Sequence, residues 1–262
     1  MRIDVVGQGP DLVLIHGWAL QGAVFEPLVQ QLAAHCTLHV VDLPGHGGSR
    51  GDTTPLRLPF VVNAIAAATP PAVWCGWSLG GLFALHAAAT LPKVRGLAMI
   101  ASTPRFVRAP EWPHGMEETV LEQFGTDLAT AFATTVDRFL ALDMLGTDPQ
   151  GAPATALRGL RQRLIDAGAP PPVALQQTLH LLTRTDLRGS LPGLARPSLW
   201  MAGQRDRLVP PAAMQAAAAL APAAQMLTIA HGGHAPFLGH AEAVAAALQQ
   251  FVAGLSPADG GQ

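Results

Sequence analysis

The fold of this chain is decided by one short segment, Gly76-Trp77-Ser78-Leu79-Gly80-Gly81. The segment fits the pattern G-x-S-x-G, which is typical of a serine nucleophile on a sharp turn between a strand and a helix. An apolar run at residues 73–75 precedes it, and residues 79–91 have helical apolar spacing. Glycines on both sides leave room for the turn, because larger side chains there would collide. We therefore predict that Ser78 is a nucleophile and that the amide of Leu79 points at the reacting carbonyl.

Short apolar runs alternate with helical stretches on both sides of this segment. Runs bounded by turn residues predict further buried strands at residues 12–15, 38–41, 97–101, 198–202 and 226–230. Most of the intervening stretches have helical apolar spacing, as does the stretch at residues 241–254. This alternation predicts an α/β fold, with a mostly parallel central sheet and helices on both faces.

One long interval breaks the alternation. It contains no evident buried strand, and its patterns predict helices near residues 120–132, 135–145 and 154–167. A long excursion in a compact domain is usually functional, so we interpret it as a helical cap inserted between two late strands. The predicted division is a core at 1–104 and 189–254, a cap at 105–188 and a disordered tail at 255–262.

The composition excludes several classes of function. Of the 262 residues, 16 are basic and 18 acidic, and 49% are hydrophobic, which makes the chain unusually apolar. Its apolar stretches are too interrupted for a membrane helix, and it lacks a secretory signal pattern, so we expect the cytoplasm. A net charge of −2 excludes a generally basic surface of the kind that binds nucleic acid. We interpret Cys36 and Cys75 as packed thiols, and we expect a monomer.

A serine nucleophile needs a general base and an acid that orients the base. In folds of this type the chain order is serine, acid, histidine. Asp206 lies in the loop after one late predicted strand, and His234 follows the last strand, with two glycines before it and an apolar segment behind it. These residues complete a predicted triad with Ser78. Two alternatives stay open, Asp186 for the acid and His231 for the base.

The loop after the first buried run carries the second part of the predicted chemistry. It reads His16-Gly17-Trp18, and a backbone amide from this early loop is the usual second oxyanion donor. We predict that Trp18 supplies this amide and that its ring walls the acyl pocket. We interpret His16 as bonded to loop backbone and the glycine-rich segment 42–49 as a structural turn. The histidines show no metal-ligand spacing, so no metal or cofactor is expected.

The motifs together resemble the α/β-hydrolase superfamily along the whole chain. The chain is more closely similar to the family of pimeloyl-[acyl-carrier protein] methyl ester esterases of biotin biosynthesis. Among the segments that carry the similarity is His234-Ala235-Pro236-Phe237, and the more specific ones are Gly76-Trp77-Ser78-Leu79-Gly80-Gly81 and, in the cap, Arg138-Phe139-Leu140-Ala141-Leu142. The resemblance implies a serine carboxylesterase that forms an acyl-enzyme and needs no cofactor.

The resemblance also implies a substrate site, in which Asp143 stands where the family often has an uncharged polar residue. The implied lining residues are Trp18, Ser78, Leu79, Phe139, Leu140, Ala141, Leu142, Asp143 and His234. An acidic carrier protein is expected to dock on basic cap residues. Arg138 matches one such position, and Arg158 and Arg161 share a helix face that could supply further charge.

Three other functions stay open at this point. A broad short-chain carboxylesterase or a lyase of the menaquinone-pathway type would use the same triad. A small-molecule receptor on the same fold would bind or react once and then stop. Turnover of p-nitrophenyl esters, measured beside the carrier-bound methyl ester, separates these functions.

Overall fold

The computed structural model of the protein describes residues 1–143 and 154–255. The side chains of residues 142–143 and 154–157 are not described. The predicted tail therefore lies outside the described residues, apart from Leu255.

The centre of the fold is a seven-stranded sheet. Its strands are β1 (Ile3–Gly7), β2 (Asp11–Ile15), β3 (Thr37–Val41), β4 (Ala72–Trp77), β5 (Val94–Ile100), β6 (Ser198–Gly203) and β7 (Ala224–Ile229). The strand order is β1-β3-β2-β4-β5-β6-β7. Strand β1 runs antiparallel to β3, and the other neighbouring strands pair in parallel. The prediction of a mostly parallel sheet is confirmed.

Burial explains why the inner strands read as continuous apolar runs. Every residue of β4 and β6 is buried, because helices cover both faces of a parallel sheet. The edge strand β1 is largely exposed and carries a charge at Asp4, as is common where a strand has no further neighbour. Both cysteines are buried and unpaired, as expected, and burial raises the pKa of the Cys75 thiol.

Helices connect the strands and form the cap. They are α1 (Glu26–Leu32), α2 (Leu58–Ala68), α3 (Leu79–Thr90), α4 (Glu118–Thr130), α5 (Phe132–Asp143), α6 (Ala154–Asp166), α7 (Pro172–Arg184), α8 (Pro211–Ala218), α9 (Pro236–Gly239) and α10 (Ala241–Ala253). Helices α4 to α7 lie between β5 and β6, where the sequence predicts a helical insertion. Among the described residues, no helix is long and apolar enough to cross a membrane.

Helix α7 was not identified from the sequence. Its start lies in a run of prolines that reads as a break between helices. Pro172 is the first helical residue, where proline is well tolerated because the amide at that position has no partner inside the helix. The run at residues 170–172 therefore starts a helix as well as ending a loop.

The parallel strands bring all the predicted catalytic loops to the same end of the sheet, where the strands have their carboxyl ends. Ser78 directly follows β4, Trp18 follows β2, Asp206 follows β6 and His234 follows β7. The carboxyl ends of parallel strands in an open α/β sheet form the usual crevice for a ligand.

Candidate active site

The turn at Ser78 has the backbone conformation that the sequence pattern requires. Ser78 lies between β4 and α3. It has a φ of 52° and a ψ of −122°, a conformation that residues other than glycine rarely adopt. A Cβ atom at Gly80 would lie 2.1 Å from the carbonyl oxygen of Ile15, and one at Gly76 would lie 2.3 Å from the carbonyl oxygen of Gly80. Only glycine fits at both positions, so the G-x-S-x-G pattern is a steric requirement of this turn.

Hydrogen bonds hold the strained turn from behind. The carbonyl oxygen of Ser78 accepts from the amide of Gly81 at 2.9 Å and from the hydroxyl of Ser102 at 2.7 Å. The amide of Ser78 donates to the carbonyl oxygen of Ile100 at 3.0 Å. Ser102 follows β5, and sequence reasoning gave it no role, because nothing in the chain near Ser102 marks it as a partner of Ser78.

The three predicted catalytic side chains form one continuous hydrogen-bonded chain. His234 Nε2 lies 2.9 Å from Ser78 Oγ, and His234 Nδ1 lies 2.9 Å from Asp206 Oδ2. The other carboxylate oxygen of Asp206 accepts from the amides of Leu208 and Val209 at 2.8 and 2.9 Å. All three catalytic residues are buried. Their hydrogen bonds are therefore shielded from water, and the electrostatic interactions among them are strengthened.

The two alternatives left open by the sequence lie elsewhere. Asp186 pairs with Arg105 and Arg188, and the hydrogen bond from Arg188 is the largest effect holding the pKa of Asp186 well below its ordinary range. His231 is exposed, and its Nδ1 lies 3.0 Å from a guanidinium nitrogen of Arg205. Neither residue belongs to the hydrogen-bonded chain at Ser78.

Trp77 supports His234, a role that sequence reasoning did not assign. Its indole nitrogen donates to the carbonyl oxygen of His234 at 2.7 Å, and the two rings lie 5.8 Å apart. Phe237 packs edge-on against the Trp77 ring at 5.3 Å. Trp77 and Phe237 both lie inside sequence motifs that point to other residues, Ser78 and His234. The motifs therefore contain these two aromatic residues, but nothing in them indicates that Trp77 supports His234.

The loop that carries Trp18 lies against the nucleophile. A Cβ atom at Gly17 would come within 3.3 Å of the Cβ atom of Ser78. Within the described structure, neither the Trp18 amide nor the Leu79 amide donates to another backbone group. Both amides are therefore available as hydrogen-bond donors, as the oxyanion prediction requires.

Two buried side chains fix this loop at its ends. His16 Nδ1 donates to the carbonyl oxygen of Gly17 at 2.8 Å, and His16 Nε2 accepts from the amide of Leu43 at 3.0 Å. At the far end, a carboxylate oxygen of Asp42 accepts from the amide of Gly22 at 2.7 Å. His16 thus bonds to loop backbone, as the sequence predicts, and the glycine-rich segment provides the anchor.

His16 must be neutral for this arrangement, because its Nε2 atom accepts a hydrogen bond. Burial lowers the pKa of His16 to about 4, against a smaller opposing effect of its bond to Gly17. The ring of His46 lies 5.3 Å away and is also fully buried. Burial and, secondarily, the proximity of His16 lower the pKa of His46 to about 3.

An apolar cavity of about 730 Å³, counted with its opening to solvent, lies above the triad. Of the described residues that line it, Ser78 and His234 are the polar ones apart from the indole groups. The wall from the core is Trp18, Ala19, Leu20, Trp77 and Leu208, and the wall from the inserted segment is Phe106, Met116, Val120, Leu121, Phe124, Leu128, Val136, Phe139 and Leu182.

The implied substrate residues on α5 divide into two groups. Phe139 lines the cavity, and its ring lies 6.1 Å from that of His234. Leu140 is buried away from the cavity and Ala141 is exposed. Consecutive helix residues point in different directions, so a run of five cannot all face one cavity, and Val136 is the second residue of α5 that does. The side chains of Leu142 and Asp143 lie outside the described part of the structure.

The wall formed by α4 was missed, although the sequence contains a signal for it. Leu121, Phe124 and Leu128 recur at the spacing of one helix face, and all three line the cavity. The same spacing predicts any amphipathic helix, so it identifies a buried face without saying that this face borders a cavity.

The arginines expected to dock a carrier protein are exposed, and two of them are paired. Arg138 lies 3.2 Å from a carboxylate oxygen of Asp127, and Arg161 pairs with Asp137. Arg158 is exposed on α6. Pairs of this exposure contribute little and can be exchanged for a partner's charges.

The fold and the site together define a class of protein. The family model for the alpha/beta hydrolase fold matches residues 10–241. An esterase from Exiguobacterium antarcticum has a TM-score of 0.83 at 20% identity, covering 96% of this chain and 94% of its own. A bromoperoxidase from Bacillus anthracis has a TM-score of 0.80 at 20% identity, with the same coverage. At this identity the solved structures show the fold alone.

Sequence relatives narrow the class to a particular family. A pimeloyl-[acyl-carrier protein] methyl ester esterase from Stenotrophomonas maltophilia is 74% identical over 262 residues, covering 100% of both chains. One of the same name from Xanthomonas oryzae pv. oryzae is 67% identical over 253 residues, covering 97% of this chain and 99% of its own. The chain belongs to the α/β-hydrolases and, within them, to the family of the pimeloyl-[acyl-carrier protein] methyl ester esterases.

Proposed function

We propose that this protein is a serine carboxylesterase that hydrolyses the methyl ester of pimeloyl-[acyl-carrier protein] in biotin biosynthesis, acting as a monomer in the cytoplasm. The observation that carries the proposal is the hydrogen-bonded chain of Ser78, His234 and Asp206 beneath an apolar cavity. Membership of the esterase family, at 74% identity to a full-length relative, supports the choice of substrate.

The first half of the proposed reaction forms an acyl-enzyme. Ser78 Oγ attacks the ester carbonyl carbon while His234 Nε2 takes the hydroxyl proton, and Asp206 stabilises the imidazolium that results. The amides of Trp18 and Leu79 bind the oxyanion, each contributing on the order of 3 kcal/mol. When the tetrahedral intermediate collapses, the bond to the methoxy oxygen breaks. His234 gives its proton to that oxygen, and methanol leaves.

The second half hydrolyses the acyl-enzyme. His234 takes a proton from a water molecule, whose oxygen attacks the acyl carbonyl carbon. The bond to Ser78 then breaks, and Ser78 regains its proton from His234. The product is a free carboxylate, and the methyl ester is consumed without any redox change or added cofactor.

The segment at residues 105–188 supplies the acyl-binding wall in this proposal. Phe139 and Val136 on α5 line the cavity, with Phe139 beside His234, and apolar side chains of α4 extend the wall. The apolar lining suits a neutral acyl chain, because burying an unpaired charge there would cost several kcal/mol. Contact of Asp143 with substrate, and docking of the carrier on Arg138, Arg158 and Arg161, remain parts of this proposal.

Turnover of the carrier-bound methyl ester by the purified protein tests the proposal. We expect multiple turnovers with release of methanol, and loss of activity in Ser78→Ala. A short-chain esterase would prefer p-nitrophenyl esters, a receptor would stop after one event, and a lyase would release no methanol. Any of these results would replace the proposed activity.

The place in biotin biosynthesis needs a separate experiment. We expect expression of the chain to restore growth of a biotin auxotroph that lacks its own esterase, and the Ser78→Ala variant to fail at equal expression. If the unchanged protein fails to restore growth while its purified form hydrolyses the ester, the pathway assignment is wrong and the esterase assignment stands.

A further inference from the structure

Gly125 lies well inside helix α4, at a position where glycine is less favourable than alanine. Its missing side chain leaves a notch that two neighbouring side chains fill. A Cβ atom at Gly125 would lie 3.1 Å from Cδ2 of Leu179 on α7 and 3.1 Å from Cη2 of Trp18. The next indole atom, Cζ2, would lie at 3.5 Å. The two closest contacts are tighter than ordinary van der Waals contacts, so a side chain at this position has to displace a neighbour.

Packing alone holds the indole of Trp18 in this notch. The ring is buried, and Phe124, the residue before Gly125, meets it edge-on with the ring centres 5.6 Å apart. The indole Nε1 atom is buried and has no hydrogen-bond partner among the described residues. The ring can therefore shift without breaking a hydrogen bond when an added group presses on it.

The acyl cavity lies on the side of the indole that faces away from Gly125. Trp18 lines the cavity, whereas Gly125 and Leu179 are not among the described residues that line it. The loop that carries the ring is itself tightly packed, because a Cβ atom at Gly17 would come within 3.0 Å of the Trp77 ring. A push from α4 therefore moves the indole into the space that an acyl chain would occupy.

We propose that Gly125 determines the length of acyl chain that the esterase accepts, by allowing the indole of Trp18 to sit back against α4. This inference rests on the proposed function, because it concerns the acyl site of an esterase. With glycine at this position the cavity keeps the width that an extended, unbranched acyl chain needs. A larger residue narrows the cavity, whereas an acetyl group needs only the space beside Ser78. Gly125 acts through Trp18 and is therefore a positioning residue.

Two chromogenic esters that differ only in acyl length, p-nitrophenyl acetate and p-nitrophenyl heptanoate, test the proposal. We expect Gly125→Ala to raise KM for the heptanoate about three- to fivefold, the effect of losing the burial of one methylene group. The acetate should change by less than about twofold, because its acyl group does not reach the displaced ring. The ratio of kcat/KM between heptanoate and acetate should therefore fall, and it should fall further in Gly125→Leu.

Gly159→Ala is the matched control. Gly159 also lies inside a cap helix, α6, but a Cβ atom there would meet only a guanidinium nitrogen of Arg163, at 3.8 Å. Both substitutions raise helix propensity by the same amount, so the pair separates an effect on helix stability from an effect on Trp18. We expect the control to keep the ratio between the two esters, and an equal fall in the control would overturn the proposal.

Trp18→Phe tests the path through the indole, because phenylalanine lacks the ring edge that meets Gly125. In this background Gly125→Ala should leave the ratio between the two esters unchanged. A fall that persists would assign the effect to Leu179. Equal losses on both esters in the single variant would mean that Gly125 supports the fold or the Trp18 loop. Either result overturns the proposal, as does an unchanged ratio in the single variant.

The same esters separate this inference from the proposed function. If the unchanged protein hydrolyses them but not the carrier-bound methyl ester, the proposed substrate is wrong, and the chain-length ratio still decides the role of Gly125. If it hydrolyses no ester at all, the proposed function and this inference fail together.

Discussion

The two walls of the catalytic cavity are built on different principles. The core wall presents groups from the ends of β2, β4, β6 and β7, held by buried hydrogen bonds between segments far apart in the chain. The cap wall presents one apolar face each of α4, α5 and α7. The positions of the reacting atoms are thus fixed by backbone geometry and buried hydrogen bonds, whereas the shape of the acyl site is set by packed apolar side chains.

The interactions that hold the two walls in place differ as well. Ion pairs across the cap surface, such as Arg138 with Asp127 and Arg184 with Glu118, are exposed and contribute at most about 1 kcal/mol each. The loops of the core wall instead depend on fully buried groups such as His16. We therefore expect changes in the core wall to alter kcat, and changes in the cap wall to alter KM.

Among changes that leave the nucleophile Ser78 in place, the largest effect is expected at the acid of the triad. Asp206→Asn should lower kcat by about 10⁴-fold, because an amide at this position favours the wrong tautomer of His234. Steady-state kinetics on the methyl ester measures the loss. Asp186→Asn is the matched control and should leave kcat nearly unchanged, although the loss of its pairs with Arg105 and Arg188 can lower stability. A large loss of kcat in the control would mean that the triad acid is misassigned.

A smaller loss of kcat is expected when the loop of Trp18 is released. His16→Gln cannot reach both Gly17 and Leu43, so it should lower kcat by about 10- to 100-fold, less than removal of an oxyanion donor. KM should change less than kcat, because the loop forms only part of the cavity wall and the wall from the inserted segment stays in place.

A substitution of the neighbouring buried histidine, His46, distinguishes positioning of the Trp18 loop from general stability of the core. His46 donates from Nδ1 to the carbonyl oxygen of Pro44 at 2.9 Å and makes no contact with the Trp18 loop through this bond. His46→Asn keeps such a donor and should retain kcat. Equal losses in both variants would show that the whole cluster acts only as core.

On the cap wall we expect an effect on binding. Phe139→Ala should raise KM about tenfold with little change in kcat, since it removes apolar area that a bound acyl chain would cover. Ala141→Ser, on the exposed face of the same helix, is the control and should match the unchanged protein. A fall in kcat at constant KM would contradict the division between the walls and assign Phe139 to the support of His234.

The last expected effect concerns folding and not catalysis, and it is a dependence of stability on pH. The folded-state pKa values of His16 and His46 are about 4 and about 3, below their ordinary 6.5. As pH falls below 6.5 the unfolded chain takes up protons that the folded chain does not, so stability present above this pH is lost toward pH 4. Each histidine should contribute a loss of about 1.4 kcal/mol per pH unit.

Denaturant unfolding at several pH values measures this slope. In His46→Asn the slope should be smaller by about 1.4 kcal/mol per pH unit, because one of the two groups is gone. An unchanged slope would show that His46 does not remain neutral in the folded protein.

The sequence alone determined the backbone of the site. Gly76 and Gly80 are required because a Cβ atom at either position would collide with a carbonyl group, and that requirement is visible as a pattern. Six of the seven strands and most helices were equally predictable, since burial imposes a period on consecutive residues. The position of Phe139 was implied by family resemblance, whereas Leu140 and Ala141, its neighbours, turn away from the cavity.

Only the tertiary structure decided which distant residues meet. The choice of Asp206 over Asp186 and of His234 over His231 depended on contacts between separate loops, as did the support from Trp77 and Ser102. Local patterns report the conformation of a few neighbouring residues, because steric limits and hydrophobic period act over short stretches of chain. Contacts across the sheet depend on strand order and register, which place residues far apart in sequence within hydrogen-bond distance.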